Sequence, residues 1–265
     1  MAEQVGTVTV ITSSQNSKIK LIRALLGRAK ERREANAFVV EGVRLVEEAV
    51  NSDWRFQFAL YDESLNERGK SLVERLTSSD IDVEMVSESL MKSLSETETP
   101  QGILAVLTNS QIPIPESLNF ILIPDQIRDP GNLGTLLRSA AAAGVKVVLL
   151  PPETTDAFAP KVVRSGMGAH FRLPIHLMTW EEIQEQTKEL QVYLADMDGQ
   201  SCWETDLRQP LALIVGGEAE GATAEARKLA TQEISIPMSG DVESLNAGAA
   251  GSVLMFEVMR QRSHI

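Results

Sequence analysis

Residues 120–144 read "FILIPDQIRDPGNLGTLLRSAAAAG". An apolar run from Phe120 stops at a Pro-Gly-Asn turn and gives way to a helical pattern. Pro130 fixes its own φ, and Gly131 permits a tight turn. Asn132 suits the N-cap, where a side-chain oxygen accepts a backbone N–H. Leu133, Leu136, Leu137 and Ala140 recur at helical spacing, and Gly144 ends the run. Thr135 and Arg138 lie off that stripe. Helical side chains lean toward the N-terminus, so Arg138 reaches back toward the end of the preceding strand. Strand, rigid turn and helix together make half of a βαβ unit.

The same alternation continues toward the C-terminus. "KVVLLP", "LPIHLM", "VYLADM", "LALIVGG" and "EISIPM" read as further strands, with helices between them. Their runs are almost continuously apolar, as in a parallel sheet covered on both faces. A last helix spans about Ser244 to Gln261. Toward the N-terminus, "SQIPIPESL" carries two prolines and reads as a linker. Before it lies a second α/β pattern, beginning with one helix from Ser17 to Ala35. The expected organisation is therefore a front domain over 1–109, a linker over 110–117 and a parallel-sheet domain over 118–265.

Composition bounds the function. Of 265 residues, 43% are hydrophobic, enough for two cores. The single cysteine, Cys202, cannot form an internal disulfide, and three histidines leave little for a zinc cage. No metal site is expected. No apolar run reaches membrane-spanning length, and the start of the chain lacks a basic region followed by an apolar core. A cytoplasmic protein is expected. Net charge is −12, yet the stretch from Lys18 to Arg44 holds eight bases and three acids, a local charge of +5. Such a patch can meet phosphates even on an acidic body.

Ligands of open parallel sheets bind beyond the carboxyl ends of the strands. Three loops there stand out. The first holds Asn132 and Arg138. The second, "VGGEAEGAT", has three glycines that let backbone approach a ligand, with Glu218 among them. It lacks the Lys-Ser/Thr of a phosphate-binding P-loop. The third, "ISIPMSGDVESLNAGAAG", leaves a strand and opens a helix at Ser244-Leu245-Asn246. Ser244 is a candidate N-cap, and Asn246 offers an amide at the helix mouth. Gly248 and Gly251 weaken a helix, so they mark close approach of another backbone.

Taken together, "DPGNLGTLLRSA", "GGEAEG" and "IPMSGDVESLN" resemble, in this order, the three motifs of the SpoU (TrmH-type) family of SPOUT RNA ribose methyltransferases. The resemblance covers nearly the whole chain, since "FVVEGVRLVEEA" and "TPQGILAVL" are similar to that family's small RNA-binding domain. One departure is Ala247-Gly248, where the family pattern has a branched residue and a serine. The resemblance implies a small α/β RNA-binding domain followed by a parallel-sheet α/β domain with a C-terminal trefoil knot. It also implies methylation of a ribose 2′-hydroxyl in RNA by S-adenosyl-L-methionine, with large-subunit ribosomal RNA the first choice. A transfer RNA substrate and a resistance modification are the alternatives.

Carried over residue by residue, Gly216, Ile236 and Leu245 would cradle the cofactor. Arg138 would act on the hydroxyl. Asn132, Glu218, Ser244 and Asn246 would orient ribose and arginine. A guanidinium is effectively never deprotonated, so a forked clamp on the neighbouring phosphate suits Arg138 better than the role of base. His170 and His176 are candidate bases by residue type alone. The resemblance further implies a homodimer in which Arg138 serves the partner's site, and the bare run Ala247 to Gly251 offers a surface for close helix contact. Two other function classes fit less well. A non-catalytic RNA-binding relative would lack Asn132, Arg138 or Asn246, and all three are present. A dinucleotide-dependent oxidoreductase would need G-x-G-x-x-G after its first strand, which is absent.

Overall fold

The computed structural model describes residues 10–97, 99–217, 221–240 and 244–263, which fall into two compact units, Met1–Ser110 and Gln111–Ile265. In the first unit, α1 (Ser17–Gly27) and α2 (Ala29–Ala35) precede β1 (Ala37–Glu41) and α3 (Val43–Asn51). Then come β2 (Phe56–Tyr61), α4 (Glu67–Ser78), β3 (Val83–Met85), α5 (Glu88–Leu94) and β4 (Ile103–Thr108). The sheet order is β1-β4-β2-β3, with β4 antiparallel to both neighbours and β2 parallel to β3.

The single helix expected over Ser17–Ala35 is two helices. Arg28 is extended, at φ −119° and ψ 138°, and separates them. Asn16 caps the first by accepting from Lys18 N. Arg32 is buried, and its guanidinium donates to the Leu25 carbonyl, which the break leaves without a helical partner. Lys18 pairs with Asp82 and Glu84. Arg23 also donates to Ser93 and Lys30 lies 3.7 Å from Glu34, so four of the eight bases in the basic stretch have partners within the unit, while Lys20, Arg28 and Arg33 are exposed.

The second unit begins with β5 (Phe120–Pro124), α6 (Pro130–Ala143), β6 (Val147–Leu150) and α7 (Pro160–Gly166). It continues through β7 (Ile175–Leu177), α8 (Trp180–Thr187), β8 (Gln191–Ser201) and β9 (Leu211–Val215). It closes with α9 (Ala224–Leu229), β10 (Gln232–Ser235) and α10 (Ala247–Arg262). The sheet is parallel throughout, in the order β10-β8-β9-β5-β6-β7. Alternate residues of β5 feed two cores. Phe120 and Leu122 pack with Leu133, Leu136 and Leu137 of α6 and Leu254 and Met255 of α10. Ile121 and Ile123 pack with Ile183 of α8 and Ala226 of α9. Each fully buried leucine contributes roughly 1.5–3 kcal/mol of apolar transfer, so α6 is held by its stripe more than by its alanines.

From β5 the chain winds outward through β6 and β7. It then crosses to the other side, where β9 lies between β8 and β5. That reversal opens a crevice at the carboxyl ends of β5 and β9. β8 is longer than the expected strand. Its first half pairs with β9, and its second half rejoins β10 after a register shift. Gly199 permits the shift, because a Cβ there would lie 2.5 Å from the backbone of Glu233 and Ile234.

Candidate functional site

A cleft of about 670 Å³ opens at the crevice. Its walls are Val215, Gly216 and Gly217 after β9, Ile236 and Met238 after β10, and Ser244, Leu245 and Asn246 before α10. Of the residues expected to hold a cofactor, Gly216, Ile236 and Leu245 all line this cleft. Gly216 has no room for a side chain: a Cβ there would lie 2.8 Å from Ala222 N. Gly217 is equally tight against Gln126 O, at 2.7 Å, and it bridges to Gly221. Glu218 lies outside the described residues, so its placement in this loop is not described.

The helix starts differ from the sequence reading. Asp129, not Asn132, is the N-cap of α6: its Oδ1 accepts from Asn132 N at 2.9 Å. Pro130 takes the first helical position, where a missing N–H costs nothing. The Asn132 N–H bond holds the Asp129 carboxyl below its ordinary pKa, and Lys161 at 3.6 Å adds to this. Likewise Asn246, not Ser244, caps α10, accepting from Ala249 N at 3.2 Å. With its backbone inside the helix, Asn132 can turn its side chain toward α10. Asn246 Nδ2 donates to Asn132 Oδ1 at 2.8 Å, across 114 residues of sequence.

α6 and α10 stay in register beyond that point. Ser139 Oγ and Ser252 Oγ are 2.7 Å apart, and Ser252 Oγ donates to Gly248 O at 2.6 Å. A Cβ on Gly248 would lie 3.3 Å from Asn132 Oδ1, and one on Gly251 would drive into the Leu136 side chain. Close approach at these glycines is therefore real, but their neighbours are side chains rather than backbone. The run of small residues is also spent inside the chain. Ala247, Gly248 and Gly251 are buried, so they are no open surface for a second copy. The exposed face of α10 carries larger groups: Val253 is 37%, Phe256 46% and Met259 41% exposed.

Arg138 is exposed on α6 and is not among the residues lining the cleft. It follows Asn132 by about 9 Å of helix rise, and no described carboxylate or carbonyl pairs with it. Neither candidate histidine reaches the cleft. His170 is buried, with its Nε2 2.7 Å from Ala157 O, and burial lowers its pKa to about 4. His176 Nε2 lies 2.8 Å from Ile112 O.

Two features escape a reading of the sequence. Asp125, at the end of β5, is fully buried; Thr223 N donates to its Oδ2 at 2.7 Å. Burial pushes this carboxyl above its ordinary pKa, opposed by the Thr223 bond. It ties the end of the glycine loop to the end of β5, and its only signal is a carboxylate directly after an apolar strand. The second feature is the irregular stretch of β8. Asp196, Met197 and Asp198 line the cleft there, and Arg227 Nη2 donates to Asp196 Oδ2 at 2.8 Å.

Comparisons with known proteins agree with this geometry. Residues 119–256 match the SpoU rRNA Methylase family, and residues 16–105 match the MRM3-like substrate binding domain. The chain is 33% identical to the 23S rRNA (guanosine(2553)-2'-O)-methyltransferase RlmP of Bacillus subtilis, over 94% of this chain and 98% of that protein. It is 30% identical to a 23S rRNA (uridine(2479)-2'-O)-methyltransferase of Streptomyces viridochromogenes, over 94% and 92%. The AdoMet-bound rRNA methyltransferase of Sinorhizobium meliloti superposes with a TM-score of 0.84 at 29% identity, covering 96% of this chain and 98% of that one. A trefoil knot is consistent with such neighbours.

Proposed function

Because the chain belongs to the SpoU rRNA methylase family, we propose that it methylates a ribose 2′-hydroxyl of RNA using S-adenosylmethionine, and that large-subunit ribosomal RNA is its substrate. One observation carries this reading. The first and third motifs meet as a hydrogen-bonded amide pair, Asn132 with Asn246, at the mouth of a cleft walled by glycine backbone and apolar side chains. A cleft of about 670 Å³ is within the range of roughly 300–1,000 Å³ that small ligands use. Its lining of Val215, Ile236, Leu245 and Leu254 suits an adenine ring, with backbone polar groups at Gly216 and Gly217 for its edge.

The cofactor, when bound, supplies an electrophilic methyl group on sulfonium sulfur. The chain's own task is to hold the ribose oxygen in line with it and to stabilise charge as the proton leaves. Asn132, Ser244 and Asn246 orient the ribose from the cleft mouth. Arg138 clamps the neighbouring phosphate and stabilises the developing alkoxide.

Arg138 is exposed on its own chain and outside its own cleft, which supports a homodimer whose Arg138 serves the partner's site. The exposed Val253, Phe256 and Met259 on α10 supply an apolar contact for a second copy. The first unit binds the RNA, using the exposed bases of α1 and α2, and the enzyme works in the cytoplasm. Among the described residues no helix is long and apolar enough to cross a membrane.

The test is transfer of label from methyl-labelled S-adenosylmethionine to large-subunit ribosomal RNA that lacks this modification. Alkali-resistant 2′-O-methylation at one nucleotide is expected. Base methylation, or no transfer, contradicts the reading.

A further inference from the structure

One wall of the cleft is built from backbone that has left its sheet. Leu194 of β8 pairs with Glu233 of β10, but the next pair is Gln200 with Ile234. On the other flank, the ladder with β9 ends at Ala195 and Val215. Residues 196–199 thus have no partner in either ladder. They form a lip, of which Asp196, Met197 and Asp198 line the cleft, and Met197 is 64% exposed. A segment without ladder bonds needs other anchors to keep one shape. Ser235 Oγ supplies one at the far end, donating to Gly199 O at 2.8 Å.

Arg227 supplies the anchor at the near end. Its Nη2 donates to Asp196 Oδ2 at 2.8 Å and its Nη1 to Glu233 Oε1 at 2.9 Å. One planar guanidinium therefore joins the first residue of the lip to the β10 residue at which the register breaks. The other oxygen of Asp196, Oδ1, accepts from Asp198 N at 3.2 Å. Both carboxylate oxygens are engaged, and the lip is pinned through this one aspartate, whose side chain is only 18% exposed. The helix that carries Arg227 is itself fixed. Thr223 caps α9 by accepting from Ala226 N, and its own N–H donates to the buried Asp125.

We infer that Arg227 is a positioning residue that, through Asp196, sets the 196–199 lip as a wall of the cofactor cleft. This deepens the methyltransferase reading and rests on it, since it takes S-adenosylmethionine as the occupant of the cleft. Arg227 acts by place rather than by charge. Its positive charge does not favour a cofactor that carries a sulfonium, and its two carboxylate partners offset that charge. What it contributes is a lip already in shape, so that ordering these residues is not a cost of binding.

The experiment compares Arg227→Gln, Asp196→Ala and the double variant. Calorimetry reads the affinity of each for S-adenosylmethionine and for S-adenosylhomocysteine. The two compounds share the adenosine and the amino-acid chain, and differ by the sulfonium methyl and its charge. Arg227→Gln is expected to weaken both by the same factor, about tenfold, the scale of a hydrogen bond to a charged group. In the Asp196→Ala background, removing Arg227 should cost nothing further, because the route through Asp196 is already cut. In methyl transfer, the loss should fall on the KM for cofactor rather than on kcat.

A loss that persists in the Asp196→Ala background, or one that differs between the two compounds, gives Arg227 a direct or charge-based part and overturns the inference. So does an Arg227→Gln variant that melts early yet binds both compounds as the parent does, the mark of a purely structural ion pair. Should Arg227→Gln fail to fold, Arg227→Lys takes its place. Lysine keeps the charge but loses the fork that spans both carboxylates, so both affinities are still expected to fall, and parent-like affinities overturn the inference. A parent protein that binds neither compound would instead count against the S-adenosylmethionine reading itself.

Discussion

α6 and α10 begin side by side, and each has an asparagine in its opening turn, yet the two asparagines have different duties. α6 uses Asp129 as its cap, so the Asn132 side chain is left to meet Asn246 of α10. α10 has no such carboxylate in the cap position and uses Asn246 itself, so only the Nδ2 end of that amide reaches across to α6. A three-residue difference in where a helix starts decides whether an asparagine is spent on a cap or left to reach the neighbouring helix. The same contrast recurs along α6. Asn132 is tied by a hydrogen bond to Asn246, which lines its own chain's cleft, whereas Arg138, about two turns in from the helix start, is exposed.

The largest effect expected from perturbing this pair of helices is catalytic. Arg138→Ala should lower kcat by about 10²–10³-fold, the cost of one lost anion-stabilising group, with cofactor affinity and melting temperature unchanged. Calorimetry and thermal melts check both. A variant that melts early or loses cofactor would place Arg138 in the scaffold instead.

Next comes the helix contact. Gly251→Ala pushes a methyl group into Leu136 and Val215 and should destabilise the protein by about 1–3 kcal/mol, as overpacked cores do. Chemical denaturation measures this. If the variant is as stable as the parent, α6 and α10 are not packed as tightly as described.

The caps come third. Asp129→Ala should cost about 0.5–2 kcal/mol. The Asp129 carboxyl has its folded pKa lowered, chiefly by the Asn132 N–H. Its contribution is therefore complete above the ordinary carboxylate pKa and is lost as pH falls through the lowered folded value. The difference between parent and variant should shrink in acid, and a difference constant with pH would contradict the role given to Asp129.

The smallest effect sharpens the glycine comparison. At Gly27, the end of α1, a Cβ would meet nothing within 4 Å among the described residues. Gly27→Ala should therefore stabilise by roughly 0.5–1 kcal/mol, by the helix preference of alanine alone. Opposite signs at Gly27 and Gly251 separate propensity from packing.

Much of this is legible in the sequence. The apolar runs of β5, β6 and β9 announce a parallel sheet because both faces are covered, and the loops after β9 and β10 announce the cleft. Gly248 and Gly251 announce a close helix contact, though not which side chains it meets. What a sequence cannot carry is competition between neighbours. Asp129 and Asn132 are both good caps, and the choice between them depends on where Pro130 and the leucine stripe seat the first turn. The same holds for Ser244 and Asn246. The break at Arg28 depends on a buried Arg32 reaching the Leu25 carbonyl, an interaction between helices that periodicity cannot express. The Asn132–Asn246 pair spans 114 residues and exists only once both helices are docked.

The division of α6 between two active sites is the central claim, and subunit mixing tests it most directly. Arg138→Ala and Asn246→Ala, each inactive alone, are co-expressed with different tags and the heterodimers isolated. If Arg138 serves the partner's site, one site of each heterodimer collects both lesions and the other collects none. Methyl transfer should then return to roughly half of the wild-type level per dimer, by the symmetry of a two-fold assembly. If Arg138 serves its own chain, every site keeps one lesion, and verified heterodimers without activity would contradict the account.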